Sequence, residues 1–135
     1  MNKITKMTQL ETINFINKRV GTELIEHDYI FNPYDAFDKN YIVEIKNRRA
    51  NYKEPFLEVN KTLINLKLAK KQNKEYLYVQ QDDTGVYVFN ISKIDLNSIY
   101  KRFYNVPATT DFSNNKRVNK EFWILTKSLA TKLII

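Results

Sequence analysis

The segment Tyr34-Asp-Ala-Phe-Asp-Lys-Asn-Tyr-Ile-Val-Glu-Ile-Lys-Asn-Arg-Arg49 restricts the fold more than any other part of the chain, because it sets ionisable groups inside an apolar strand pattern. A two-residue loop at Lys39-Asn40 pairs Asp38 with Tyr41, Phe37 with Ile42, Ala36 with Val43 and Asp35 with Glu44. Side chains alternate along a strand, so Ile42, Glu44, Lys46 and Arg48 share one face and Asp35 joins them from the partner strand. Val43 and Ile45 point the other way, toward core. Two carboxylates and a lysine thus converge on a largely buried strand, where an uncompensated charge is costly, and the cluster calls for a counter-ion.

Composition narrows the function classes. A chain of 135 residues that is 43% hydrophobic is long enough for one core and too short for two ordinary domains, so residues 1–135 are expected to form a single domain. With no cysteine, disulfides, cysteine-zinc sites and thiol nucleophiles are excluded. No apolar run reaches the length of a membrane span and Met1 to Leu10 lacks the apolar centre of a signal peptide, so a cytoplasmic protein without membrane contact is expected. The net charge of +7 and pI near 9.5 favour anionic partners, with nucleic acid first among them. Only two glycines are present, which leaves no glycine-rich phosphate loop of the kind that nucleoside triphosphate hydrolysis uses.

In chain order, Thr8 is an N-cap with Glu11 at the third helical position, and Leu10, Ile13, Ile16 and Val20 carry a helix to Gly21. Residues 23–31 read as a strand; His27 within it, the chain's single histidine, reads as a strand or surface residue. Pro55 opens a helix to about Asn73, with an apolar stripe of Phe56, Val59, Leu63 and Leu66 widened by Leu57, Ile64 and Leu68. Glu58, Lys61, Thr62 and Asn65 occupy its opposite side. Residues 75–81 and 86–91 form a hairpin about Asp82-Asp83-Thr84-Gly85, where the aspartates serve the turn. Residues 92–104 read as a short helix, 106–111 as a capped turn and 118–125 as a closing strand. Tyr100, Arg102, Phe103 and Tyr104, with Lys116, Arg117 and Lys120, interleave aromatic and basic side chains as single-strand binders do, a pattern that packing under a basic surface also produces.

Asp35, then Glu44-Ile45-Lys46 at the end of a strand, then Asn47-Arg48-Arg49, resembles the core of the PD-(D/E)xK nuclease superfamily, the restriction-endonuclease-like fold. The literal Pro-Asp pair is absent, because Tyr34 separates Pro33 from Asp35. The resemblance covers about residues 8 to 91, and residues 107–112 resemble small nucleases encoded by phages. It implies an α/β domain with a mixed β-sheet flanked by helices, in the order α-β-β-β-α-β-β. It also implies Asp35, Glu44 and the Ile45 carbonyl as ligands of Mg²⁺ or Mn²⁺, with Lys46 as the catalytic lysine. A first-helix glutamate often completes such sites, which makes Glu11 a candidate catalytic residue, with Glu23 behind it. Glu11 fits a capping box equally well.

The expected function is metal-dependent hydrolysis of DNA phosphodiester bonds. The alternative is a non-catalytic DNA- or protein-binding module of the same fold, such as a phage-encoded inhibitor of a host system. Arg48, Arg49, Lys53 and Lys61 are the candidate nucleic-acid contacts, and no helix offers base-reading side chains at its start, so contacts should be chiefly to phosphate. So small a domain offers little surface to one duplex, and a symmetric homodimer with two metal sites, as in junction-resolving members of the superfamily, is an arrangement the resemblance allows. An acid pair repels itself without metal, so neutralising Asp35 or Glu44 is expected to leave the fold intact and even raise its thermal stability.

Overall fold

The computed structural model describes residues 6–27, 32–48, 55–108 and 116–133. These residues form a mixed α/β structure with two helices, a six-stranded mixed sheet and a separate three-stranded sheet among them. The first helix, α1 (Gln9–Val20), is set by local chemistry as expected. The Thr8 hydroxyl accepts from the Glu11 amide at 3.1 Å, the Glu11 carboxylate accepts from the Thr8 amide at 3.1 Å, and Gly21 ends the helix at φ 81°. Of the strand predicted over residues 23–31, only β1 (Ile25–Glu26) is seen among the described residues.

The hairpin that follows is β2 (Ala36–Phe37) and β3 (Tyr41–Asn47), in the predicted register, Ala36 with Val43 and Phe37 with Ile42. Its tight loop is held by Asp38, whose Oδ1 accepts from the amides of Asn40 and Tyr41, both at 2.8 Å. After α2 (Val59–Lys71) the chain enters β5 (Glu75–Asp82), parallel to β3, and returns as β6 (Gly85–Asn90). The C-terminal β9 (Thr131–Leu133) closes the sheet in the order β1-β2-β3-β5-β6-β9. Side chains of α1 meet Val43, Ile45, Leu77, Val79 and Val86 on one face of this sheet; Ile42, Tyr76, Tyr78 and Phe89 build a second core on the other.

Three elements differ from expectation. The helix predicted from Pro55 starts later, because Phe56–Glu58 form strand β4 and pair with β8 (Arg117–Ile124) in a sheet ordered β4-β8-β7, where β7 is Lys101–Pro107. Counting the helical period from Phe56 therefore misplaces the buried stripe. Val59, Thr62, Asn65 and Ala69 face inward, at the i, i+3 and i+4 spacing of a helix that starts at Val59, while Leu63 and Ile64 are 51% and 54% exposed. Buried Asn65 is tied in by donating to the Pro33 carbonyl at 2.9 Å. The predicted helix over residues 92–104 is two short 3-10 turns followed by β7; the predicted closing strand is β8. The capped turn over 106–111 begins inside β7 and continues outside the described residues.

Candidate functional site

Alternation along β3 turns Glu44 and Lys46 toward the α2 face, as the sequence predicts. Glu44 is 4% exposed. Its Oε1 meets Lys61 Nζ at 2.6 Å and Lys46 Nζ at 3.3 Å, and its Oε2 accepts from the Tyr76 hydroxyl at 2.9 Å. Burial pushes the Glu44 carboxyl up, but the two ammonium groups and the Tyr76 hydroxyl outweigh it and hold the carboxyl below its ordinary value. Burial lowers the Lys61 ammonium, and Glu44 and Asp35 more than reverse this. The late start of α2 is what brings Lys61 here, on the helix's first turn and next to inward-facing Thr62.

Asp35 lies one step before the first paired residue of β2. Its amide donates to the Val43 carbonyl at 2.8 Å, and its Oδ2 accepts from the Ile45 amide at 2.7 Å. The expected side-by-side pairing with Glu44 is thus replaced by a carboxylate that reaches along the sheet edge to cap Ile45. The reason is that β2 begins only at Ala36, which leaves the Ile45 amide without a strand partner on that side. The carboxylates remain electrostatically coupled: burial first, and then the Glu44 charge, raise the Asp35 carboxyl against the Ile45 hydrogen bond and the two lysines. Within a strand the amide and carbonyl of one residue point to the same side, so the Ile45 carbonyl opens toward Asp35.

Arg48 follows at the end of β3 and bonds the Tyr78 hydroxyl, which donates to the Phe56 carbonyl at 3.3 Å. Glu44, Lys46, Arg48, Lys61, Phe56 and Phe122 line a pocket of about 200 Å³, with Glu58 and Tyr78 completing its wall. A larger cavity of about 600 Å³ beside α1 is lined chiefly by Ile16, Val20, Leu77, Ile99 and Leu133, and brings no acid pair together.

Not every predicted residue reaches the site. Glu11 is spent in the capping box, and α1 packs on the Val43–Ile45 face, opposite Glu44. Glu23 is exposed beyond the end of α1. Arg49 and Lys53 lie outside the described residues. Three participants escaped the sequence reading: Tyr76, which anchors Glu44 from the neighbouring strand, Tyr78, which Arg48 bonds at the pocket wall, and Phe122, which walls the pocket from β8. Tyr76 had a signal, since Tyr76 and Tyr78 alternate on a strand parallel to the Glu-x-Lys strand; its hydroxyl is raised by burial and by Glu44, which keeps it a donor.

The donor chemistry fits a hard divalent cation: two carboxylates and a backbone carbonyl supply oxygen only, the set Mg²⁺ accepts while retaining water. Among the described residues no three acidic or imidazole side chains converge to hold a cation by themselves. Lys61 and Lys46 occupy the charge-compensating position at Glu44. No helix among the described residues is long and apolar enough to cross a membrane. No family model, curated protein or solved structure matches the chain.

Proposed function

We propose that this protein hydrolyses phosphodiester bonds in DNA with Mg²⁺ or Mn²⁺, on a restriction-endonuclease-like fold. The observation that carries the reading is the Glu44-Ile45-Lys46 strand, with Asp35 reaching the Ile45 amide and a second lysine on Glu44. The main sheet and its helices run α1, β1 to β3, α2, β5, β6, with β5 parallel to β3 and with β4, inserted before α2, given to the second sheet; this main-sheet order supports the fold assignment.

Asp35, Glu44 and the Ile45 carbonyl would hold the cation, which when bound supplies charge neutralisation at phosphoryl oxygens and a more acidic water. Tyr76 orients Glu44 through Oε2 and leaves Oε1 toward the pocket, where the two lysines now sit. Lys46 orients the attacking water or meets the negative charge that builds on the phosphoryl group, and Lys61 contacts the phosphate once released from Glu44. Arg48 grips a neighbouring phosphate.

A second reading rests on one observation: Glu44 is already charge-balanced by Lys46 and Lys61, as suits a binding module of the same fold without catalysis. Purified protein incubated with linear, nicked, branched and single-stranded DNA in Mg²⁺, Mn²⁺ or EDTA separates the two. Metal-dependent cleavage that Glu44→Gln abolishes is expected. DNA binding without metal uptake by calorimetry or any cleavage would sink the nuclease reading. Equal affinity for a four-way junction and its component duplexes would remove junction selectivity and its dimer.

A further inference from the structure

The three-stranded sheet leaves an aromatic surface that the pocket does not use. Register puts Phe56 opposite Ile124, and places Glu58 and Arg102 on either side of Phe122, with Tyr104 opposite Lys120. These side chains share one face of the sheet, while Leu57 and Trp123 turn the other way into the core. On the shared face the Phe56 and Tyr104 rings stack with centroids 4.9 Å apart, Tyr104 meets Phe122 edge-on at 5.8 Å, and Phe56 lies 6.2 Å from Phe122. Arg102 sits 5.6 Å over Tyr104. Phe56 remains 44% exposed, and both Phe56 and Phe122 also line the Glu44 pocket. The aromatic cluster and the candidate catalytic pocket therefore form one continuous surface.

We infer that this face is a base-stacking platform that holds unpaired nucleotides of a single-stranded DNA segment beside the pocket. The inference rests on the phosphodiester reading for what the pocket does, but not for what the platform binds. Stacking requires bases whose π-faces are free, which a continuous duplex hides. The charges suit a polyanion: Arg102 and Lys120 lie among the rings, and Lys46, Arg48 and Lys61 adjoin them in the pocket. Glu58, the acid of this face, is held by Lys120 at 3.6 Å. This sheet face presents no helix to a groove, and its partly exposed rings suit splayed bases.

The test is fluorescence anisotropy in EDTA, with labelled single strands of roughly 12 nucleotides compared with duplexes of the same length. The single strand should bind more tightly, and Phe56→Ala or Tyr104→Ala should weaken it by roughly 5- to 100-fold, the range of one lost base stack. Tyr104→Leu keeps apolar bulk without a ring; an equal loss in that variant, with an unchanged circular dichroism spectrum, assigns the effect to stacking rather than to collapse of the sheet. Phe103, 68% exposed on the opposite face, is the control, and Phe103→Ala should bind as wild type does. Equal affinity for single strand and duplex, or an equal loss in Phe103→Ala, overturns the platform. So does a dimer, seen by sedimentation, that Phe56→Ala dissociates without changing oligonucleotide affinity. Single-strand preference without cleavage in Mg²⁺ supports the platform and removes the nuclease reading alone.

Discussion

Two buried acids on the same face of the main sheet are built differently. Asp82 is fully buried at the end of β5, and its hydrogen bonds are short and occupy both carboxylate oxygens. The Thr84 amide and hydroxyl donate to Oδ1 at 2.8 and 2.6 Å, while Gln80 Nε2 and Lys127 Nζ donate to Oδ2 at 3.0 and 2.7 Å. Lys127 also lies 4.2 Å over the Tyr87 ring, which ties the C-terminal segment to the hairpin. Burial raises the Asp82 carboxyl, and Lys127, Thr84 and Gln80 pull it below its ordinary value. Glu44 instead faces two half-exposed lysines across a pocket, with a second, protonation-prone carboxyl nearby. A carboxylate with every lone pair engaged at short range holds structure together. One whose ammonium partners are partly exposed at a pocket wall can exchange them for a ligand.

The sharpest way to break this contrast is activity. Glu44→Gln or Asp35→Asn should reduce metal-dependent cleavage to background, and Lys46→Ala should slow it by about 100- to 1,000-fold with little loss of DNA affinity. Asp82→Asn, assayed well below its melting temperature, should cleave at the wild-type rate. Cleavage that survives in Glu44→Gln and disappears in Asp82→Asn would reverse the assignment.

Stability should invert the order. Asp82→Asn strands Lys127 beside a buried amide and should cost roughly 3 kcal/mol in urea denaturation. Glu44→Gln retains the Tyr76 bond and leaves lysines that can turn to water, for about 1 kcal/mol. A larger loss at Glu44 than at Asp82 would mark Glu44 as the structural acid.

Salt dependence separates the basic partners. Arg48→Ala should flatten the log–log salt slope of DNA binding by about one unit, whereas Lys127→Ala should leave it unchanged. Equal slopes in both variants would remove Arg48 from the interface.

The smallest expected effect is a pH-dependent one at Asp35. Its folded carboxyl titrates above the ordinary value of 3.8, so the folded state binds the extra proton and stability falls as pH rises through that folded value. Asp35→Asn, which can still accept from Ile45, should melt higher than wild type at neutral pH without metal, and the gain should fade as pH falls toward 4. Asp82 and Glu44 act in the opposite sense: their contribution is complete above the ordinary carboxylate range and is lost as pH falls through their depressed folded values. A gain at Asp35 that does not vary with pH would mean that burial of its charge is not the cause. Of the two acids for which sequence alone predicts stabilisation on neutralisation, only Asp35 should deliver it, because Glu44 has its counter-charges.

Much of this was legible one segment at a time. Thr8, Glu11 and Gly21 set α1 through hydrogen bonds that span a few residues, and the alternation in Ile42 to Lys46 settles which face each side chain takes once the hairpin turns at Lys39-Asn40. The convergence of Glu44 with Lys46 follows from the same period of two. What local pattern did not contain is the partner of each segment. Phe56 to Glu58 suit a helix as readily as a strand, and only the arrival of β8 from late in the chain makes them a strand. That pairing delays α2, turns Thr62 and Asn65 inward and Leu63 and Ile64 outward, and points Lys61 at Glu44. Glu11 illustrates the converse: its sequence position suited either a cap or a metal site, and α1 packs on the wrong face of the sheet for the second. Hydrogen-bond caps and alternation act over neighbouring residues and can be read there, whereas the rotation of a helix about its axis is set by contacts with segments far away in sequence.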